Sequence, residues 1–193
     1  MNKHLDEQSG ATLLELMAVL CIVAIMTAIS LPLLREQVAA QEIDSIARRF
    51  ITQAHFARQQ ALHLGEAVLI SPMSIDGLIK NSSESWERGW FIQSGCLTKS
   101  SNSNCIPKYW FSQSAIGPIY FKGGGKQFQD PHSGKKGILF NAAGAAKTGQ
   151  GGFVANRLIL GHRGAPKLER QLILGSGGRW RICDPARDAK RCH

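Results

Sequence analysis

The residues best suited to chemistry in this 193-residue sequence are two arginines near its C-terminus, in the stretch Gly178-Arg179-Trp180-Arg181. Residues two apart in a β-strand point to the same side, so we expect Arg179 and Arg181 to project together while Trp180 turns the other way. Two parallel guanidinium groups suit phosphate oxygens and would hold DNA without reading its sequence. We expect Trp180 to be a core residue rather than a platform for stacked bases.

The positive charge of the chain is concentrated in the same region. The sequence has 23 basic and 14 acidic residues. The segment from Tyr120 to His193 contains fourteen of the basic residues but only four of the acidic ones. Further basic residues would widen the surface if the fold brings them together, namely Lys135, Lys136, Lys147, Arg157, Arg163, Lys167, Arg170, Arg187, Lys190 and Arg191. Two alternatives stay open: a merely solvated surface, and charges that protect an edge strand from aggregation.

A long apolar segment lies near the other end of the chain. Ala11 to Leu34 comprises 24 residues with a single ionisable side chain, Glu15, and is long enough for a helix that spans a hydrocarbon core. A secretory signal peptide would begin with a basic region and end at a small-residue cleavage site, whereas the leader, residues 1–10, is mixed in charge. We therefore expect a membrane helix over residues 11–34, with any cleavage before it, at Gly10-Ala11.

Glu15 requires a partner or a function, because a carboxylate inside a membrane helix costs about 2.5–3.5 kcal/mol on insertion scales. Cleavage after Gly10 would create an α-amino group on Ala11, and this positive terminus could pair with Glu15 of the same or a neighbouring helix. Such pairing would favour helix packing over solvation by lipid. The alternative is that Glu15 snorkels to the headgroups near the helix end.

The stretch from Gly10 to Glu15, with Pro32 further along, resembles the processing site of type IV prepilins and type II secretion pseudopilins. The resemblance implies that a prepilin peptidase cleaves after Gly10 and methylates the amine of Ala11, and that Glu15 is needed for filament assembly. Pro32 matches a proline that often loosens the pilin helix, and we expect a bend at Ser30 to Pro32. The first mature residue is commonly phenylalanine in that superfamily and is Ala11 here.

The rest of the sequence predicts an amphipathic helix followed by strands. Apolar residues recur at steps of three and four from Val38 to Leu64, which predicts a continuation of the helix over residues 35–65 with Gly65 as its C-cap. Aliphatic and aromatic runs between turn residues predict strands at Ala67–Ser71, Trp90–Gln93, Tyr109–Phe111, Ile119–Phe121, Ile138–Asn141 and Arg157–Gly161. The last portion predicts a hairpin with a Gly-Ala-Pro connection, a glycine-rich turn and a final strand. The expected fold class is α+β, with a small antiparallel sheet domain over residues 66–193.

Four stretches, "RQQALHLGEAVLIS", "WERGWFI", "GILFNAAGAA" and "RQLILGSGGRWRI", resemble the GspH/FimT family of minor pilins and pseudopilins. The resemblance implies a pilin-like fold and a location in the inner membrane with the globular domain in the periplasm. It implies other pilin or pseudopilin subunits and the prepilin peptidase as partners, and a pilus or pseudopilus as the product. The alternative within the family is an H-type pseudopilin of type II secretion with a structural role.

The Gly-Arg-x-Arg element is similar to a motif of FimT-like minor pilins linked to natural transformation. This similarity implies that the C-terminal basic region binds double-stranded DNA. The residues assigned to that role are Gly178, Arg179, Arg181, Lys167, Arg170, Arg187, Lys190 and Arg191.

Five cysteines are present, and Cys21 in the apolar helix is expected to act as a small hydrophobe. Cys96 and Cys105 flank a loop rich in serine and asparagine, and Cys183 and Cys192 flank a charged segment. In an oxidising compartment, local pairing of each set is the simplest expectation, and the other two connectivities stay open. The spacings are not those of a zinc site.

The sequence does not resemble an enzyme. Its six histidines are scattered, and no nucleophile elbow, carboxylate pair or metal-ligand spacing is present. Its glycine clusters lack the spacing of a phosphate-binding loop. We therefore expect neither catalytic residues nor a cofactor or metal.

Overall fold

The computed structural model describes residues 12–73, 85–95, 97, 106–122, 137–147, 152, 156–175 and 177–192, except the side chains of Pro32, Asn156 and Arg191. Gly10, Ala11 and the cysteines Cys96 and Cys105 therefore lie outside the described residues. The chain divides into two compact units, Met1–Val38 and Ala39–His193.

The first unit holds the N-terminal part of helix α1, which runs from Leu13 to Leu64. Thr12 caps its start, because the Oγ1 atom of Thr12 accepts a hydrogen bond from the backbone N–H of Glu15 at 3.3 Å. The large apolar side chains from Leu13 to Leu34 are exposed in the isolated chain. By length and composition this part of the helix is able to cross a membrane, which accounts for a continuous apolar surface.

Helix α1 continues through Pro32. Proline has no backbone N–H, so the carbonyl four residues earlier loses its usual helical partner. Two hydroxyls nearby donate hydrogen bonds to helix carbonyls, Thr27 to Ala24 and Ser30 to Met26, each at 2.9 Å. Such hydroxyl contacts often accompany bent helices. The bend at Ser30 to Pro32 stays a prediction.

The second unit begins with residues 39–64 of the helix, which bury one face against strands. The buried side chains recur at steps of three and four, and they are Ala39, Ile43, Ala47, Phe50, Ala54, Ala57 and Ala61. The ring of Phe50 meets those of Trp86, Trp90 and Trp180 at centroid distances of 5.6, 5.1 and 5.4 Å. The helix ends before Gly65, whose φ of 66° is the left-handed conformation of a C-cap.

In the described residues, nine strands form two antiparallel sheets. The strands are β1 Val68–Met73, β2 Ser85–Ser94, β3 Lys108–Gln113, β4 Ile119–Lys122, β5 Ile138–Phe140, β6 Ala146–Lys147, β7 Asn156–His162, β8 Ala165–Leu174 and β9 Trp180–Cys183. The first sheet has the order β3-β2-β1-β5-β6 and the second β4-β7-β8-β9. A short 3₁₀ helix, Ala189–Cys192, follows β9. The predicted α+β class, a long helix on antiparallel strands, is confirmed.

The hairpin between β7 and β8 turns at Arg163 and Gly164, so its connection begins one residue and ends two residues earlier than predicted. Ala165 and Pro166 already belong to β8, so the predicted Gly-Ala-Pro connection is wrong. The register shifts from Gly161 opposite Glu169 to His162 opposite Ala165, which leaves Pro166 opposite no residue of β7. Proline fits at this bulge because the strand needs no ladder hydrogen bond there.

Candidate functional site

The two arginines of the Gly-Arg-x-Arg element lie at an edge of the second sheet. Arg179 directly precedes edge strand β9 and Arg181 is the second residue of that strand, and both are exposed. Trp180 between them is half-buried and packs edge-on against Phe50. Trp180 is therefore a core residue, as expected, and the alternation of the strand places Arg181 on the outer face of the sheet.

Gly178 shapes the turn that leads into these arginines. The N–H of Gly178 donates to the carbonyl of Gly175, and the N–H of Gly175 donates to that of Arg179, both at 2.9 Å. Gly178 is buried with a φ of 77°, and a Cβ atom there would lie 2.9 Å from the carbonyl oxygen of Gly144. Arg58 Nε donates to the same oxygen at 2.8 Å. Gly178 is thus a packing residue, and any role at the surface is indirect.

The outer face of the second sheet places Arg157 beside Arg181. Arg157 on β7 and Arg181 on β9 both lie opposite Ile173, on the strand between them. Paired strands are about 4.8 Å apart, so the backbones of the two arginines are about 10 Å apart on one face. No sequence signal distinguishes Arg157 from the other basic residues, and its position beside Arg181 follows only from the strand register.

The segment after β9 adds further cations to this face. A disulfide joins Cys183 to Cys192, with their Cα atoms 5.5 Å apart, and closes a loop of residues 184–191. The side chain of Arg187 is 86% exposed, and Lys190 is also exposed. Arg157 Nη1 donates to the carbonyl oxygen of Cys192 at 3.4 Å. The loop therefore lies next to the row that contains Arg157 and Arg181.

Arg170, predicted to bind DNA, is instead a buried structural residue. Its side chain is 8% exposed, and its guanidinium group pairs with Asp44 at 2.7 Å and with Asp184 at 3.0 Å. It shares the inner face of β8 with the buried Leu172. Because two carboxylates occupy its donors, Arg170 is not available to phosphate. Its contacts link helix α1 to the segment that follows β9.

The other predicted basic residues are distributed unevenly. Lys167 is exposed on β8, but it lies six positions before Ile173, a distance of about 20 Å along the strand. Arg163 lies at the hairpin turn, where its Nη2 pairs with Glu87 at 2.9 Å. Lys135 and Lys136 lie outside the described residues, as does the side chain of Arg191.

Lys122 and Glu169 form an ion pair elsewhere on the outer face. The hydrogen bond from Lys122 to Glu169 raises the pKa of the lysine above its ordinary value. Because each charge is paired, these two residues add little net potential to the face. The exposed arginines beside Ile173 on this face are Arg157 and Arg181, with Arg187 and Lys190 of loop 184–191 next to them.

In the first unit, Glu15 lies in the first turn of α1. The spacing Thr12-x-x-Glu15 is that of a capping box, and the positive end of the helix dipole favours a carboxylate there. Thr12 Oγ1 holds the backbone N–H of Glu15, and the assembly contact of the Glu15 carboxylate stays a prediction. Cys21 is a free, exposed thiol in the isolated chain. Across the part of the chain that the structure describes, no three histidine, cysteine or acidic side chains converge as a metal site requires.

A long helix on antiparallel sheets is the architecture of the pilin-like proteins. The family model described as type II transport protein GspH matches residues 47–192, so the chain belongs to the GspH family of minor pilins and pseudopilins. No curated protein sequence matches the chain significantly.

Two solved structures show what the chain is similar to. The type IV minor pilin FimU of Pseudomonas aeruginosa (strain PAO1) has 16% sequence identity and a TM-score of 0.50, over 79% of this chain and 96% of that chain. The minor pseudopilin EpsH from the Type 2 Secretion System of Vibrio cholerae has 12% sequence identity and a TM-score of 0.48, over 76% of this chain and 99% of that chain. At this identity, the similarity to FimU establishes the fold alone.

Proposed function

We propose that this chain is a minor type IV pilin that binds double-stranded DNA non-specifically through its C-terminal basic region and supports DNA uptake. One observation carries the proposal: Arg181 is exposed on the outer face of the second sheet, in register with Arg157 and beside the cationic loop 184–191. Guanidinium groups contact phosphate oxygens and carry no sequence information when they do so. Trp180, which would be the stacking residue, is occupied in the core.

The N-terminal segment supports the assembly part of the proposal. The prepilin peptidase cleaves between Gly10 and Ala11 and methylates the new amine, and the helix then anchors the subunit in the inner membrane with its second unit in the periplasm. In the filament, the carboxylate of Glu15 pairs with the Ala11 amine of a neighbouring subunit. The exposed apolar surface of residues 13–34 suits both the lipid and a helix-packed filament core.

The test uses the full chain in non-ionic detergent micelles and fluorescence anisotropy of labelled duplex DNA over a salt series. We expect the double variant Arg179→Ala/Arg181→Ala to lose about tenfold or more in affinity, with a log–log salt slope reduced by about 1.8 for two lost phosphate contacts. The matched control Lys108→Ala/Arg163→Ala removes two cations away from this face and should change binding far less. Absence of wild-type binding at low salt, or equal binding by the first variant, would refute the proposal.

The second candidate is an H-type minor pseudopilin of type II secretion, whose role is structural. The family model favours it, because that model is described by a type II transport protein. In this case, Arg179 and Arg181 shield the exposed edge of β9 against aggregation. The two candidates differ in DNA binding, and the neighbouring genes, for a pilus or for a secretion system, separate them independently.

A further inference from the structure

We infer that the disulfide-closed loop 184–191 is the second half of the DNA-binding surface, held in place so that its cations and the Arg157–Arg181 row contact one duplex together. The inference rests on the proposed DNA-binding function. It adds a specific element, the closed loop, and gives Arg157 and Arg170 distinct roles.

The loop has two aspartates: Asp184 is turned toward the protein, and Asp188 is half-buried. Asp184 is 18% exposed, pairs with the buried Arg170, and lies 3.7 Å from Arg187 Nε. Its Oδ1 atom also accepts a hydrogen bond from the backbone N–H of Ala186 at 3.0 Å. Arg187 and Lys190 remain exposed. Because Arg170 pairs with Asp184 from the protein side, this aspartate offsets less of the positive charge of Arg187 and Lys190.

Three attachments fix the loop against the sheet. The disulfide ties its end to Cys183 of β9, Arg157 Nη1 holds the carbonyl of Cys192, and Arg170 holds Asp184. Arg157 also donates to Gln171, which lies opposite Cys183 in the sheet. These contacts place the loop beside the row of Arg157 and Arg181 rather than away from it.

Fixing the loop matters because a flexible loop would lose conformational entropy when it binds a polyanion, and this loss would reduce the affinity. A loop that is already closed has lost most of that freedom during folding, so more of the phosphate contact energy is retained as affinity. On this argument, Arg170 is a positioning residue. It binds no phosphate itself but holds the loop that does.

A purely structural disulfide would stabilise the C-terminus without affecting the ligand, so the test must separate charge from stability. The full chain in non-ionic detergent is measured by anisotropy with a labelled duplex, in three variants. Cys183→Ala/Cys192→Ala opens the loop, Arg187→Gln/Lys190→Gln removes two cations with the disulfide intact, and Lys108→Gln/Arg163→Gln is the matched control. Thermal melting of each variant reports stability.

We expect the open-loop and Arg187/Lys190 variants each to lose roughly tenfold in affinity, and the second to show a smaller salt slope at an unchanged melting temperature. The control should bind like the wild type. If wild-type protein binds and the Arg187/Lys190 variant binds equally well, the inference fails and the proposed function stands. If wild-type protein does not bind, the proposed function itself fails. Should the open-loop variant unfold, the Arg187/Lys190 variant decides the question.

Discussion

Replacing Arg170 with methionine should destabilise the second unit by about 3 kcal/mol. Breaking a buried ion pair costs about 3–5 kcal/mol, because the remaining charges lose their partner without regaining water. Asp184 is 18% exposed and bears most of this cost, whereas Asp44 is 40% exposed and is partly resolvated. We therefore place the loss at the lower end of that range. Methionine keeps much of the volume of the side chain, so packing contributes little.

The assay is urea unfolding of the full chain in detergent, followed by tryptophan fluorescence, since Trp86, Trp90 and Trp180 surround Phe50. The transition midpoint should fall while the m-value stays constant. Arg163→Met is the matched control: its partner is Glu87 and its side chain is 63% exposed, so its loss should be at most about 1 kcal/mol. Adding Asp184→Asn to Arg170→Met should recover part of the stability. A loss as small as that of the control would refute the assignment of Arg170 as a buried link.

Two further predictions concern the turn and the outer face. Gly178→Ala should lower the free energy of unfolding by about 1–3 kcal/mol, because the φ of 77° at Gly178 is unfavourable for alanine. Gly177→Ala is the control. No atom lies within 4 Å of the Cβ position of Gly177, so this variant should be nearly neutral in the same urea assay. The pKa of Lys122 is raised by Glu169, so the stabilisation from this pair is fully present below about pH 10.4 and is lost as pH rises through the folded-state pKa. Lys122→Met should therefore lower the urea midpoint at pH 9 more than at pH 11; an equal effect at both would contradict this.

Periodicity predicted the long elements well because their burial is regular. The helix has apolar residues at steps of three and four up to Leu64, and Gly65 supplies the left-handed cap. Strand β2 shows the limit: the sequence predicted Trp90–Gln93, but the strand begins at Ser85. Its first half includes Gly89, which lies so close to β3 that a Cβ would meet the carbonyl of Gln113. Close backbone approach, rather than apolar alternation, places that segment in the sheet.

The candidate site was harder to predict because it depends on pairings between distant strands. Arg170 carried a usable signal: it shares strand parity with Leu172 and Leu174, both buried, and so belongs to the inner face. No sequence signal predicted that Arg157 and Arg181 are neighbours, since this depends on both residues lying opposite Ile173. Composition predicted that the surface is positively charged, and strand register determined which basic residues belong to it.

Edge protection and DNA binding both explain the exposed Arg179 and Arg181 at β9, but they make different demands on the rest of the sheet. Protection of an edge requires charge on the edge strand only. Arg157 lies on β7, two strands away from β9, so its charge does not protect the edge of β9. Loop 184–191 likewise needs no inward-held Asp184 to block strand pairing. An arginine two strands from that edge and a loop with exposed basic side chains, both next to Arg181, suit a polyanion, and the proposed DNA binding therefore accounts for more of this surface than edge protection does.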